Sequence, residues 1–176
     1  YAGLSDLCGA TGAATVIFTA TDACGNTSNA TRTVTVADTT PPSISPAASN
    51  QTVECDGSGN TAALNAWLNS HGGASATDVC GGVTWSHNFT ALSDLCGATG
   101  AATVTFTATD ACGNTSTTSA TFTIQDTTPP VLTVPNDATY ECDGSGNTAQ
   151  IAAGLASASA TDVCGSASVT NNYAGL

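Results

Sequence analysis

Eight cysteines, thirteen acidic residues and two histidines are the groups in this 176-residue sequence that could do chemistry. No two cysteines form a C-x-x-C pair and histidine is nearly absent, so neither a zinc site nor a redox dithiol fits the spacing. Disulfides are what remains, and they require an oxidising compartment such as the cell exterior. The carboxylates face a single basic residue, Arg32, for a formal net charge of -12. Nucleic-acid binding needs clustered Lys and Arg to displace counterions from phosphate, and an anionic membrane surface needs them too. Charge excludes nucleic acid and disfavours an anionic membrane surface.

Acidic groups without basic counterparts could hold a divalent cation. The turn DGSGN, at 56–60 and again at 143–147, offers oxygen atoms at alternate positions like the first half of a calcium loop, without the distal glutamate of an EF-hand. Glu54, Asp56, Asp110 and Asp126 are the candidate calcium ligands and calcium the one candidate cofactor; the alternative for DGSGN is a glycine-rich turn with a helix cap. Catalysis has less to work with. His71 and His87 are not repeated where the surrounding motifs are, so no histidine is held beside a nucleophile in each copy. Aspartates inside turns serve first as turn formers. No enzyme is expected.

The repetition organises the rest. LSDLCGATGAATVIFTATDACGNTS at 4–28 returns at 92–116 with one change, a displacement of 88. DTTPP moves by the same amount, ECDGSGNTA by 87 and ATDVCG by 84, which marks small loop deletions. Such a period means a tandem array in which each unit meets mainly its neighbours. Two prolines cannot continue a central strand, so DTTPP punctuates the copies. The reading is residues 1–40 as the C-terminal part of one repeat, 41–128 as a complete repeat of about 88 residues, and 129–176 as the N-terminal part of the next. The absence of methionine fits a piece of a longer, processed chain.

Alternation from Ala101 to Asp110 puts Val104, Phe106 and Ala108 on one face and threonines on the other, which is a half-buried strand. Its copy places Val16, Phe18 and Ala20 inside. Further strands are expected at 119–125 and near 51–55, 74–79 and 83–89. A short helix is expected over 61–69, where Leu64, Trp67 and Leu68 share a face and Asn60 stands at the cap position. Its counterpart in the following copy has Gly154 for the tryptophan and is three residues shorter, so the helix reads as a decorated loop. The fold class is all-β: tandem Ig-like β-sandwich modules with a short helical insertion.

Strand length constrains the cysteines. Cys96 and Cys112 lie at opposite ends of a ten-residue strand, roughly 33 Å apart, whereas a disulfide needs Cα atoms within about 7 Å. Cys96–Cys112 is excluded, and Cys8–Cys24 with it. With strands running up and down, Cys55 and Cys96 share one pole and Cys80 and Cys112 the other. The expected pairs are therefore Cys55–Cys96 and Cys80–Cys112, with Cys8, Cys24, Cys142 and Cys164 paired outside the 176 residues.

ECDGSGNTAALNAWL, ATDVCGGVTW, FTALSDLCGATGAATVTFTATDACGNTS and DTTPP together resemble the repeats of giant cell-surface adhesins of Bacteroidetes, of the gliding-motility and hyalin-repeat-like type. The resemblance implies type IX secretion and display as long filaments at the bacterial outer surface, attached to extracellular surfaces or polysaccharide. It also implies O-glycosylation in the D-T-T pattern, at Thr39 and Thr127. The function expected is a structural stalk repeat whose nearest partners are neighbouring repeats of the same chain, with no direct membrane insertion. The alternative is a carbohydrate-binding, lectin-like module, for which Trp67 or Trp85 would be the sugar platform.

Overall fold

A computed structural model describes residues 4–5 and 7–174. Over these residues the chain is β-rich with two short α-helices. The ten strands are β1 (Gly12–Thr21), β2 (Thr27–Val36), β3 (Ser43–Ile44), β4 (Gln51–Glu54), β5 (Ala76–Thr77), β6 (Thr84–His87), β7 (Gly100–Thr109), β8 (Thr115–Gln125), β9 (Val131–Thr133) and β10 (Ser159–Thr161). Helix α1 spans Thr61–Asn69 and helix α2 spans Thr148–Ala156. The largest sheet has the order β4-β8-β7-β6, and three two-stranded sheets pair β1 with β2, β3 with β5 and β9 with β10.

The expected strand over 101–110 forms as β7, and its alternation is realised. Val104, Phe106 and Ala108 are fully buried while the intervening threonines are half-exposed. On β8 the buried set is Ala120, Phe122 and Ile124. The outward face carries hydroxyl ladders, Thr103 to Thr121 at 2.9 Å and Thr105 to Ser119 at 2.9 Å. Such cross-strand pairs suit a sheet face turned to water.

The chain folds as two compact units, each drawn from separate stretches of sequence. One comprises residues through Gln51, Asn65–Thr90 and Thr103–Phe122, the other Thr52–Leu64, Ala91–Ala102 and the residues from Thr123 onward. In the first unit Trp67 covers the sheet, its ring 5.3 Å from Phe106 and 5.5 Å from Phe122. Its indole N–H donates to the Ser49 carbonyl at 3.1 Å, which satisfies its one polar atom. Beside it His71 stacks on Trp85 at 4.6 Å.

The same sequence is exposed in the earlier copy. Phe18 keeps 60% and Ile17 64% of its surface in contact with solvent, and all of β2 is exposed. The expectation that Val16, Phe18 and Ala20 lie inside is therefore corrected for Phe18 and Ala20, which are exposed, while Val16 is half-buried. The difference is cover, since the Trp67 ring of α1 lies against Phe106 and Phe122 on β7 and β8 while Phe18 stays open to solvent.

In the second unit α2 is as long as α1 and buries no residue fully. The helix is thus retained in the following copy. The missing residues correspond to the short 3-10 turn His71–Gly73, not to the helix. Asn60 departs from its expected role. Its side chain turns back to donate to the Glu54 carbonyl at 2.8 Å and accept from Asp56 N–H at 3.2 Å, closing the loop before α1. Asn147 does the same with Glu141 and Asp143. Both asparagines take positive φ, a conformation this residue tolerates better than most.

Candidate functional site: the cysteine junctions

Each compact unit is built around one disulfide. Cys8 bonds to Cys112 with Cα atoms 5.0 Å apart, and Cys55 bonds to Cys164 with Cα atoms 6.0 Å apart. Cys24, Cys80, Cys96 and Cys142 are free thiols. The expected pairs Cys55–Cys96 and Cys80–Cys112 are therefore corrected, as is the expectation that Cys8 and Cys164 find partners outside the sequence.

The poles themselves agree with the spacing. Cys55 Sγ lies 3.7 Å from the carbonyl of Ala98, two residues past Cys96. Gly81, next to Cys80, lies against Ala111, next to Cys112. At each pole, however, a third cysteine arrives from an adjacent copy and takes one of the two. A pairing argument confined to one repeat has no place for it.

A hydrogen-bonded turn delivers this contact. In Cys8-Gly9-Ala10-Thr11 the buried Thr11 hydroxyl donates to the Cys8 carbonyl at 2.6 Å, and Ala10 N–H donates to the Cys80 carbonyl at 2.8 Å. In Cys96-Gly97-Ala98-Thr99 the matching bonds are Thr99 to Cys96 at 2.7 Å and Ala98 to the Cys164 carbonyl at 2.7 Å. Gly9 and Gly97 both hold positive φ, and a Cβ on either would run into that same cysteine carbonyl. Only glycine meets both demands.

Aspartate two residues ahead of cysteine fixes four of the eight. The backbone N–H of Cys24, Cys80, Cys112 and Cys164 donates to Asp22, Asp78, Asp110 and Asp162 respectively, at 2.8–2.9 Å. The aspartates are turn formers of the Asx type. Asp110 also accepts from the backbone and side chain of Asn114, each at 2.8 Å. Burial pushes its carboxyl up, but the Asn114, Cys112 and Gly113 donors together hold it below the usual range. Asp22 repeats the arrangement and is lowered first by the Asn26 side chain.

The expected calcium ligands do not converge. Asp56 spends its Oδ1 on Ser58 and Asn60 N–H at 2.8 and 3.0 Å, which lowers its carboxyl. Glu54 accepts from Thr127 N–H at 2.7 Å and from both the Thr127 and Thr128 hydroxyls at 3.0 Å; the Thr127 backbone bond is the main reason it too is lowered. Asp126 lies with Asp162 beside Cys164, and its copy Asp38 lies with Asp78 beside Cys80. Sequence reasoning misses these recurring neighbours; D-V-C, at Asp78–Cys80 and again at Asp162–Cys164, is the signal that could have found them. Burial, then Asp38, Asp78 and Asp110, push the Cys80 thiol up.

Of the remaining candidates, Trp67 is 4% exposed and belongs to the core, while one face of the half-buried Trp85 is covered by His71. Burial, with a smaller contribution from His87, lowers His71. Thr39 is exposed, and Thr127 is tied to Glu54. The two disulfides mark an oxidising environment. No helix among the described residues is long and apolar enough to cross a membrane. No protein-family model matches the chain, and no curated protein matches it.

Proposed function

We propose that the chain is a stretch of the stalk of a long extracellular filamentous adhesin. Its Ig-like repeats would be displayed at a bacterial surface and joined end to end. The observation that carries this reading is the pair of disulfides linking one sequence copy to the next, Cys8 to Cys112 and Cys55 to Cys164. Bonds confined within a repeat would stabilise separate beads. Bonds that tie a segment of one sequence copy to a segment of the next make each folded unit depend on its neighbour in sequence, which suits a continuous array more than a solitary module.

Support also comes from the surface. Thirteen carboxylates and threonine-rich outer faces keep an extended array hydrated and self-repelling. Antibody raised against the chain should label intact source cells as projecting filaments in immuno-electron microscopy, and deletion of the gene should reduce attachment to glass or polysaccharide. Labelling that appears only after permeabilisation would rule the reading out.

A further inference from the structure

We propose that the exposed hairpin β1–β2 of one copy of this chain completes the open half-repeat formed by β9, α2 and β10 of another. Two new disulfides, Cys96 to Cys24 and Cys142 to Cys80 of the second copy, then seal the joint. The proposal stands on the repetition and the cysteine geometry, and does not depend on what the array adheres to.

The donor is defined by comparison within the molecule. β1–β2 has the register of a ten-residue antiparallel hairpin, Gly12 opposite Val36 through Thr21 opposite Thr27. β1 repeats β7 with one change and β2 stands in the place of β8; the apolar side of β7–β8 is buried, yet Phe18, Val34 and Val36 are 60%, 58% and 42% exposed. The acceptor is the complementary half. An open groove of about 740 Å³ is lined by Leu132, Val134, Leu155 and Val169 on β9, α2 and the segment after β10. Leu155 is the copy of Leu68, which is 6% exposed on α1, but is itself 36% exposed. The position that is covered in the middle copy is thus open among the described residues of this one.

The sequence changes between copies run in matching directions. Gly154 stands where α1 has Trp67, and Val34 where β8 has Phe122, so both sides lose bulk. Arg32 stands where β8 has Ala120, and Gln150 where α1 has Ala63. Gln150 Oε1 is buried without a hydrogen-bond partner, and the arginine brings five donors on a stem that can lie along apolar surface. Tyr173 to Leu176 also repeats Tyr1 to Leu4, where the middle copy reads Phe89 to Leu92. The half-repeat and the hairpin are thus of the same type.

The cysteines give the register. The bond Cys8–Cys112 joins the third cysteine of one copy to the fourth of the next, and Cys55–Cys164 joins the first of one copy to the second of the next. Applied to a following copy, the first rule pairs Cys96 with its Cys24 and the second pairs Cys142 with its Cys80. All four are free here. Each bond forms by exchange: two thiols give up two protons and two electrons to a disulfide oxidant such as oxidised glutathione, which leaves as two thiols.

The test is to oxidise the reduced chain with a glutathione couple at increasing concentration and map its disulfides by mass spectrometry, using mixed light and heavy isotope-labelled protein to identify inter-chain bonds. Head-to-tail oligomers carrying Cys24–Cys96 and Cys80–Cys142 between chains are expected, and Phe18→Asp should abolish them while leaving Cys8–Cys112 in place. A tandem fusion joining Leu176 to Ser5 of a second copy puts donor and acceptor on one polypeptide. It should show four free thiols among its sixteen cysteines. Eight free thiols in the fusion, any other pairing, or oligomers unaffected by Phe18→Asp would overturn the proposal.

Discussion

At these junctions glycine and aspartate set the backbone that brings the cysteines together. Gly97 holds φ +59° with the Cys164 carbonyl where a Cβ would go. Gly97→Ala should therefore cost about 1–3 kcal/mol and lower the fraction of Cys55–Cys164 seen in peptide maps. Gly154 sits in α2 with open space around it, so Gly154→Ala should instead raise stability by about 0.5–1 kcal/mol. Opposite signs in thermal melts separate the two roles. The aspartates set a pH dependence. Asp22, Asp56, Asp110, Asp143 and Glu54 all have carboxyls held below their ordinary range by hydrogen bonds in the folded chain. A lowered folded-state value means stability that is fully present above the unfolded value, about pH 4, and lost as pH falls through the folded ones. Melting temperature should hold from neutrality down to about pH 5 and drop below about pH 4; a rise on acidification would contradict the assignment.

At the scale of elements, the two copies of one hairpin make an internal control. Phe106 is fully buried against Trp67, so Phe106→Ala should destabilise by about 3–5 kcal/mol, whereas Phe18→Ala in the monomeric chain should lie within about 0.5 kcal/mol of the parent. Urea unfolding followed by tryptophan fluorescence reports the difference, since Trp67 lies in the affected core. Most of this level was legible from periodicity. The alternation of Val104, Phe106 and Ala108 gave β7, and the spacing of Leu64, Trp67 and Leu68 gave α1 with both of its ends. Two things were not. Periodicity marks a face as apolar but does not say whether a covering element is present, hence the wrong expectation for Phe18. Cap propensity also gives no sign that a closing loop will compete for the same side chain, hence Asn60.

For the whole molecule, what the sequence concealed was partnership between copies. Spacing placed Cys55 with Cys96 and Cys80 with Cys112 at common poles, and the structure agrees on the poles. It could not show that the C-G-A-T turn of one copy reaches the next, because that contact depends on a glycine-dependent backbone approach of Ala10 to Cys80 and Ala98 to Cys164. The two bonds close loops with sequence separations of 104 and 109 residues. In the chain-entropy model each is worth up to about 4.7 kcal/mol. Cys8→Ser and Cys55→Ser should each lower the melting temperature in oxidising buffer and make no difference in reductant.

The bonds interlace, since Cys55 falls inside the Cys8–Cys112 loop and Cys164 outside it. Pulled from its ends with every fold undone, the chain can extend only through Cys55, across to Cys164 and on to Leu176, about 68 residues or roughly 230 Å. Reduced, the same 176 residues reach roughly 600 Å. The redox state of the surroundings thus fixes how far such a tether can stretch before its covalent backbone bears the load directly, a limit that force spectroscopy with and without reductant would read as a difference in contour length.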